Sequence, residues 1–235
     1  FIINHTYILL LGLFVTIILS GERNAVLIFI LTILILHFFQ KRILKIFLIL
    51  LLFILLLFSL GKFSKEVEKR FIEPLRTVNY LNFSEFFKQI KDSPWGHHYQ
   101  ASIELFSKNP IFGQGPKSFR IACNKTEIEK YLIQNVKKYR ACATNPHNYL
   151  LEFLSENGII GFLFYIIFLL IIFLKILKAR KYPNNNYLLF GVGTLLLAIL
   201  FPFKPSGSFF TTFNASIFFY LLGFFIYSTR QIKQK

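Results

Sequence analysis

Methionine is absent from this chain, and acidic residues, cysteine and tryptophan are scarce. The 235 residues include 11 acidic and 27 basic side chains, two cysteines and one tryptophan, and only 16% of all residues are charged. Soluble domains seldom combine so little charge with so much Leu and Phe, so the composition argues against a soluble protein. Because no methionine occurs and the chain starts at Phe1, we expect a fragment that lacks its true N-terminus.

Apolar residues make up 54% of the chain, including 31 Phe, and most of them fall in six runs. Several runs are shorter than the ~20 residues with which a helix crosses a bilayer. Together with the composition, the runs predict an all-α polytopic membrane protein with about six transmembrane helices. The runs are Ile2–Leu19, Ala25–Phe39, Ile43–Leu60, Ile159–Leu174, Tyr187–Phe203 and Phe209–Tyr227.

The net charge of +16 does not indicate a nucleic-acid partner, because the basic residues form short clusters between the apolar runs. Such clusters in short loops mark the cytoplasmic side of a membrane protein. Three segments contain ten basic residues, whereas the intervening short loops contain only Arg23 and Lys204. We therefore expect the basic segments in the cytoplasm and the other loops outside. The ten are Lys41, Arg42, Lys45, Lys175, Lys178, Arg180, Lys181, Arg230, Lys233 and Lys235.

A long, charged segment separates the first three apolar runs from the last three. Loops of this length usually carry function or have their own structure, and amphipathic patterns and turn signals predict a mostly helical domain over the membrane bundle. The predicted parts are 1–60 (three transmembrane helices), 61–157 (the loop domain) and 158–235 (three transmembrane helices and a tail). The predicted short helices are Glu66–Leu75, Phe83–Ile90 and Tyr99–Ser107.

Both cysteines, Cys123 and Cys142, lie in this outer segment. An oxidising compartment permits a disulfide between them, which would stabilise the domain by about 3 kcal/mol in the chain-entropy model. Two unpaired thiols are the alternative.

His147 lies just before a predicted membrane helix, and an ionisable group so close to the membrane is a functional candidate. Asn145 is a good N-cap residue and Pro146 suits a first helical position, which predicts a helix from Pro146 to about Asn157. Gly158 would end or kink this helix before the membrane span begins. The pattern thus places His147 in the first turn of a helix.

A position in the first turn of a helix would suit His147 to accept a proton beside a bound anion. Free N–H groups at a helix start bind anions, and the helix dipole there disfavours an imidazolium, so the imidazole could accept a proton. Such a group beside a phosphate suits attack by a hydroxyl and departure of a phosphate. The alternative is a surface histidine, with Gly158 and Gly161 serving only helix packing.

Arg23 lies in Ser20–Asn24, the only polar break between the first two apolar runs. Its guanidinium could hold a phosphate through two parallel hydrogen bonds, or it could extend to lipid headgroups. No spacing of metal ligands occurs in the sequence, so we expect no metal. Further basic candidates in the loop domain are His97, His98, Lys117 and Arg120.

Several short motifs occur together around His147 and in the loop domain. The most specific is His-Asn, nine residues, and then Gly-x-x-Gly leading into a membrane helix. In combination these motifs resemble those of the O-antigen ligase and polymerase family, over about Gly21 to Phe164. The matching stretches are Ser20–Arg23, Asn109–Gly115, Pro146–Asn148, Leu151–Glu152, Ser155–Glu156 and Gly158–Gly161.

This resemblance implies an inverting, metal-independent glycosyltransferase of the bacterial inner membrane that uses no cofactor. It would move a glycan from undecaprenyl diphosphate to lipid A core (a ligase) or to a growing glycan (a polymerase), on the periplasmic side. Protein glycosylation stays open as a third reaction. Because family members have more membrane helices, the chain would be the C-terminal half. A polysaccharide transporter is a weaker alternative, since the apolar runs have few ionisable groups at mid-span.

The resemblance also implies roles for individual residues. His147 matches the family's catalytic histidine, and Arg23 matches an arginine that binds the diphosphate. The family's second arginine has no match near Ser93–His98, so His98 or Arg120 is expected to replace it. Asn148 is expected at the substrate, and the structural glycines are Gly113, Gly115, Gly158 and Gly161.

Overall fold

A computed structural model describes six ranges of the chain, and every regular element in these ranges is helical. The ranges are 5–40, 43–77, 83–135, 140–180, 186–203 and 207–233. Four residues of the predicted basic segments lie outside them, namely Lys41, Arg42, Lys181 and Lys235, and so does Lys204 of the predicted outer loop.

Three apolar helices form the first bundle: α1 (His5–Ser20), α2 (Arg23–Phe39) and α3 (Ile43–Phe63). These helices consist mostly of Ile, Leu and Phe. Each buries one side in the bundle and leaves an apolar side facing outward, as expected for helices in a membrane. Phe14 stacks on Phe53 with ring centroids 3.9 Å apart, and this pair lies in the core of the bundle.

Short helices form the domain between the two membrane parts, and all three predicted amphipathic stretches are helical. The third begins earlier than predicted, at Pro94 instead of Tyr99, because Ser93 caps it and accepts the N–H of Gly96 at 3.1 Å. The elements are α4 (Lys65–Val67), a π-turn (Glu68–Ile72), α5 (Glu73–Thr77), α6 (Phe83–Lys91), α7 (Pro94–Lys108), α8 (Phe119–Ala122), a 3₁₀ turn (Cys123–Lys125) and α9 (Glu127–Asn135).

The Cys123–Cys142 disulfide lies in the small core of this domain, with 5.5 Å between the two Cα atoms. The neighbouring backbone is held by Glu129, whose buried carboxylate accepts the N–H of Ala141 at 2.6 Å. Arg140 pairs with the same carboxylate at 3.5 Å. The disulfide and this carboxylate therefore fix the segment that leads to His147.

The last three helices are α10 (Tyr149–Ala179), α11 (Tyr187–Ile199) and α12 (Thr212–Lys233). Helix α10 packs against α7 and α11, and α11 packs against α2 and α12. Gly193 of α11 allows Ile176 and Phe225 to come close, because a Cβ there would lie 2.6 Å from Ile176.

Helices of two lengths occupy the positions of the six predicted runs. Three are long and apolar enough to cross a membrane, namely Leu44–Phe63, Tyr149–Ala179 and Thr212–Gln231. The shorter apolar helices are Ile8–Ser20, Arg23–Phe39 and Tyr187–Ile199. The predicted all-α membrane fold is confirmed.

The described basic residues of the predicted cytoplasmic clusters share one end of the bundle. The ring of Phe39, which ends α2, lies 5.9 Å from Phe173 of α10 and 6.3 Å from Phe190 of α11. Arg180 lies over Phe38 at 4.2 Å. We call this the basic end, and its described cations are Lys45, Lys175, Lys178, Arg180 and Arg230. The opposite end, where α2 and α10 begin, is the site end.

Helix α10 is broken at Gly158, where the backbone has φ 65° and ψ −164°. The turn 109–115 fills the break. Gln114 donates its N–H to the carbonyl of Ser155 at 2.9 Å, and Gly115 donates to that of Glu156 at 2.8 Å. Ile159 donates back to the carbonyl of Pro110 at 2.9 Å. The domain thus supplies the backbone partners that the interrupted helix lacks.

Two glycines make this close approach possible. Gly113 has φ +70°, and a Cβ on it would lie 2.4 Å from the carbonyl carbon of Glu156. A Cβ on Gly158 would lie 2.2 Å from the carbonyl oxygen of Ile111. Both positions combine a left-handed backbone with a backbone neighbour that cannot move aside.

We predict that Gly158→Ala and Gly113→Ala lower the thermal unfolding temperature in detergent. The left-handed backbone alone costs an L-residue about 1–3 kcal/mol, and the clash adds to this. Gly191→Ala is the matched control, since Gly191 is helical with nothing within 4 Å of an added Cβ. Equal unfolding temperatures for Gly158→Ala and Gly191→Ala would contradict the account of the helix break.

Candidate functional site

The segment before α10 differs from its predicted conformation. The helix begins at Tyr149 and not at Pro146, and Asn148 is the N-cap, with its side chain accepting the N–H of Leu151 at 3.3 Å. The predicted cap, Asn145, instead accepts the N–H of His147 at 2.8 Å. The predicted helix start was therefore wrong by three residues.

A local hydrogen bond explains this difference. An Asn side chain that bonds the backbone two residues on forms a turn that competes with a helix. The turn leaves His147 with φ +55°, a left-handed conformation that a helix cannot contain. Such strain in a residue other than glycine persists only where the surroundings enforce it, and it is concentrated at functional sites.

The predicted anion site at the helix start is also partly filled. Tyr149 donates its N–H to the carbonyl of Pro202 at 2.9 Å, and the N–H of Leu151 is used by Asn148. These amides are therefore not available to a phosphate. His147 precedes the N-cap, so the helix-dipole argument made for a first-turn position does not carry over to it.

Two aromatic side chains of α7 pack against the His147 ring. The Trp95 ring lies edge-on at 4.9 Å between centroids, and the His98 ring lies at 5.6 Å with a tilt of 40°. The Nδ1–H of buried His98 donates to the carbonyl of Ala141 at 2.7 Å. Because a carbonyl only accepts, this bond leaves Nε2 of a neutral His98 as the acceptor nitrogen.

One face of α7 carries three side chains that meet the His147 segment. Trp95, His98 and Tyr99 follow the i, i+3, i+4 spacing of a helical face. The hydroxyl of Tyr99 shares a hydrogen bond with the side chain of Asn148; burial raises the pKa of Tyr99, and this bond opposes the rise. Trp95 and Tyr99 were not predicted as site residues, although their helical spacing from His98 is a signal that could have identified them.

His97, the neighbour of His98, points to a different side of α7. Burial lowers its pKa, and the charge of Asp92 acts in the opposite direction. Adjacent residues on a helix point about 100° apart, and His98 is in ring contact with His147.

Arg23 is the first residue of α2, at the site end, and its side chain is exposed. A second arginine lies close to the turn that precedes it. Gly21 has φ +76°, and a Cβ on it would lie 2.5 Å from a terminal nitrogen of Arg70. Arg70 also pairs with Glu66 at 3.4 Å. No sequence motif singled out Arg70, because its position over Gly21 depends on the fold.

The remaining predicted residues divide into exposed and structural groups. Arg120 is exposed on the short helix α8 and has no place in the ring cluster around His147. Gly115 has φ +98° and open space around it, whereas a Cβ on Gly161 would lie 2.2 Å from the Cβ of Asn157. The cluster therefore combines three of the predicted site residues: His98, His147 and Asn148.

The two carboxylates of α10 serve as acceptors for backbone groups. Glu156 accepts the N–H groups of Lys117 at 2.6 Å and Phe119 at 3.1 Å. Glu152, which is buried, accepts the N–H of Phe209 at 3.1 Å. One carboxylate thus ties α10 to the loop domain, and the other ties it to the loop before α12.

The described contacts fix the position of one imidazole. The half-buried His147 ring is held by its own backbone turn and by two aromatic neighbours, and exposed arginines lie on α2 and α8 at other positions of the same molecule. Within the described ranges, no group of three His, Cys, Asp or Glu side chains is placed to hold a metal ion.

Comparison with known proteins identifies a family but no individual protein that is similar to the chain. The family model described as O-antigen ligase matches residues 8–166, which is more than half of the chain. The match includes the first bundle, the loop domain, the His147 segment and the helix break. No curated protein and no solved structure matches the chain. With its apolar helices and its helical domain, the chain belongs to the O-antigen ligase family.

Proposed function

We propose that the protein is an O-antigen ligase that transfers a glycan from undecaprenyl diphosphate to lipid A core. The reaction inverts the anomeric centre, needs no metal, and occurs at the periplasmic face of a bacterial inner membrane. The observation that carries this proposal is the placement of His147 at the site end, in an enforced left-handed conformation against Trp95 and His98.

His147 acts as the general base. It takes the proton from the acceptor hydroxyl as the hydroxyl oxygen bonds to the anomeric carbon of the donor sugar. The bond from that carbon to the diphosphate oxygen breaks, and its electron pair leaves with the diphosphate. General-base catalysis of this kind contributes about 10²–10⁴ in rate. Trp95 and His98 fix the ring plane, and Asn148 fixes the backbone next to it and contacts the substrate.

Exposed cations hold the diphosphate and the charge that develops as it leaves. Arg23 supplies a bidentate guanidinium at the start of α2. Arg70 lies next to the Gly21 turn and adds a second positive charge near Arg23. Arg120, exposed on α8 of the loop domain, takes the place of the family arginine that has no match near Ser93–His98. His98, whose Nδ1–H is already donated to Ala141, orients the His147 ring instead.

The distribution of charge supports the sidedness of this proposal. The basic end corresponds to the cytoplasm by the positive-inside rule, so the site end and residues 61–157 face the periplasm. Residues 1–60 and 158–235 form the membrane parts on either side of this domain. A disulfide in the domain is compatible with an oxidising compartment.

We predict that His147→Ala lowers glycan transfer by about 10²–10⁴ while the protein still inserts and unfolds at its usual temperature. The assay uses the purified full-length protein with an undecaprenyl-diphosphate glycan, lipid A core and EDTA, and detects product by mass spectrometry. His37→Gln, at the basic end, is the control and keeps activity. Full activity of His147→Ala would exclude the proposed base.

The same assay separates the neighbouring reactions. Glycosylated lipid A core identifies a ligase, a longer lipid-linked glycan identifies a polymerase, and a glycosylated protein acceptor identifies an oligosaccharyltransferase. Absence of all three products with an active donor would favour a non-enzymatic role such as transport.

We predict that Arg23→Lys raises the KM for the donor about tenfold or more, since losing a hydrogen bond to a charged group costs about 1.5–3 kcal/mol. A lysine keeps the charge but not the two parallel bonds. Arg230→Lys, at the basic end, is the matched control and leaves the KM unchanged. Unchanged donor kinetics in Arg23→Lys would show that a point charge is sufficient there.

A further inference from the structure

The turn 109–115 presents two apolar side chains away from the protein. Ile111 is 54% exposed and Phe112 is 75% exposed, although Gly113, Gln114 and Gly115 pack against the break in α10. We call Ile111 and Phe112 the tip. Single exposed apolar residues are ordinary on protein surfaces, but the tip adjoins other exposed apolar residues and is not isolated.

The tip continues the exposed apolar surface of α10. The carbonyl of Ile111 lies against Gly158, and the carbonyl of Pro110 accepts the N–H of Ile159. Ile159 and Ile160 are exposed next to it. The same exposed surface continues along α10 through Leu163, Phe164, Ile167, Leu170, Ile171 and Leu174. This helix is one of those long and apolar enough to cross a membrane.

The backbone of the turn is compatible with a lipid environment. Irregular backbone is tolerated at membrane depth only where its polar groups have partners in the protein. Here the N–H groups of Gly113, Gln114 and Gly115 donate to carbonyls, and Pro110 has no N–H to satisfy. The carbonyl of Pro110 is also used. The backbone on either side of the tip is therefore bonded within the protein, whereas the side chains of the tip face outward.

We propose that the tip inserts into the outer leaflet of the bilayer and anchors the loop domain at the membrane surface. The occupant of this surface is lipid, because the tip is continuous with the lipid-facing side of α10. Exposed Lys117, five residues beyond Phe112, suits the anionic headgroup layer above the apolar part. Insertion fixes the height of the helix break and so of the His147 segment relative to the membrane plane. This inference does not depend on the reaction that His147 performs.

The test measures membrane depth in the full-length protein with its disulfide intact. Phe112→Cys is labelled with the fluorophore NBD, and the protein is reconstituted in phosphatidylcholine–phosphatidylglycerol vesicles that contain doxyl-labelled lipids. Phe164→Cys, 69% exposed on α10, is the deep reference. Glu127→Cys, on a side chain 75% exposed in α9, is the reference in water.

We predict that the label at 112 is quenched most by doxyl groups close to the headgroups, which corresponds to a depth of about 5–10 Å. The label at 164 is quenched most by deep doxyl groups, and the label at 127 by neither. A label at 112 that behaves like the label at 127 would overturn the proposal. So would protection of 112 from aqueous iodide without lipid quenching, because a protein would then cover the tip. If Phe112→Cys does not fold, Ile111→Cys provides the same measurement.

Discussion

The break in α10 at Gly158 is the constraint on which the rest of the structure depends. An interruption in a helix that is long and apolar enough to cross a membrane leaves carbonyls and N–H groups without helical partners, and such groups are costly near lipid. The turn 109–115 supplies those partners, and the carboxylate of Glu156 holds the backbone just beyond the turn. This contact requires Gly113, and it fastens the loop domain to a membrane helix.

The same contact determines where His147 lies. Helix α7 ends at the turn 109–115, so fixing the turn also fixes the α7 face that carries Trp95 and His98. From the other side, Asn145 and Asn148 set the backbone, and the Cys123–Cys142 disulfide holds the chain that leads to it. The imidazole is thus positioned by a membrane helix and by a folded domain.

The sequence was sufficient where a single physical effect dominates. Long apolar runs form helices in any membrane arrangement, the basic clusters share one end, and Gly158 breaks α10. It was insufficient where two local preferences compete, as at Asn145-Pro146, which suits a helix start but forms a turn with His147 instead. The positions of Trp95 and Arg70 depend on contacts between distant segments, and no local pattern specifies those. Arg120, named for its charge and as a replacement for the family's second arginine, lies exposed on α8.

The most direct test of the central claim is a cryo-electron microscopy structure of the full-length protein with a non-transferable undecaprenyl-diphosphate glycan. A general base must lie within about 2.6–3.2 Å, or one water, of the proton it takes. We predict the anomeric carbon next to His147, with the diphosphate toward Arg23. A diphosphate bound elsewhere, with His147 out of reach of the donor sugar, would contradict the account.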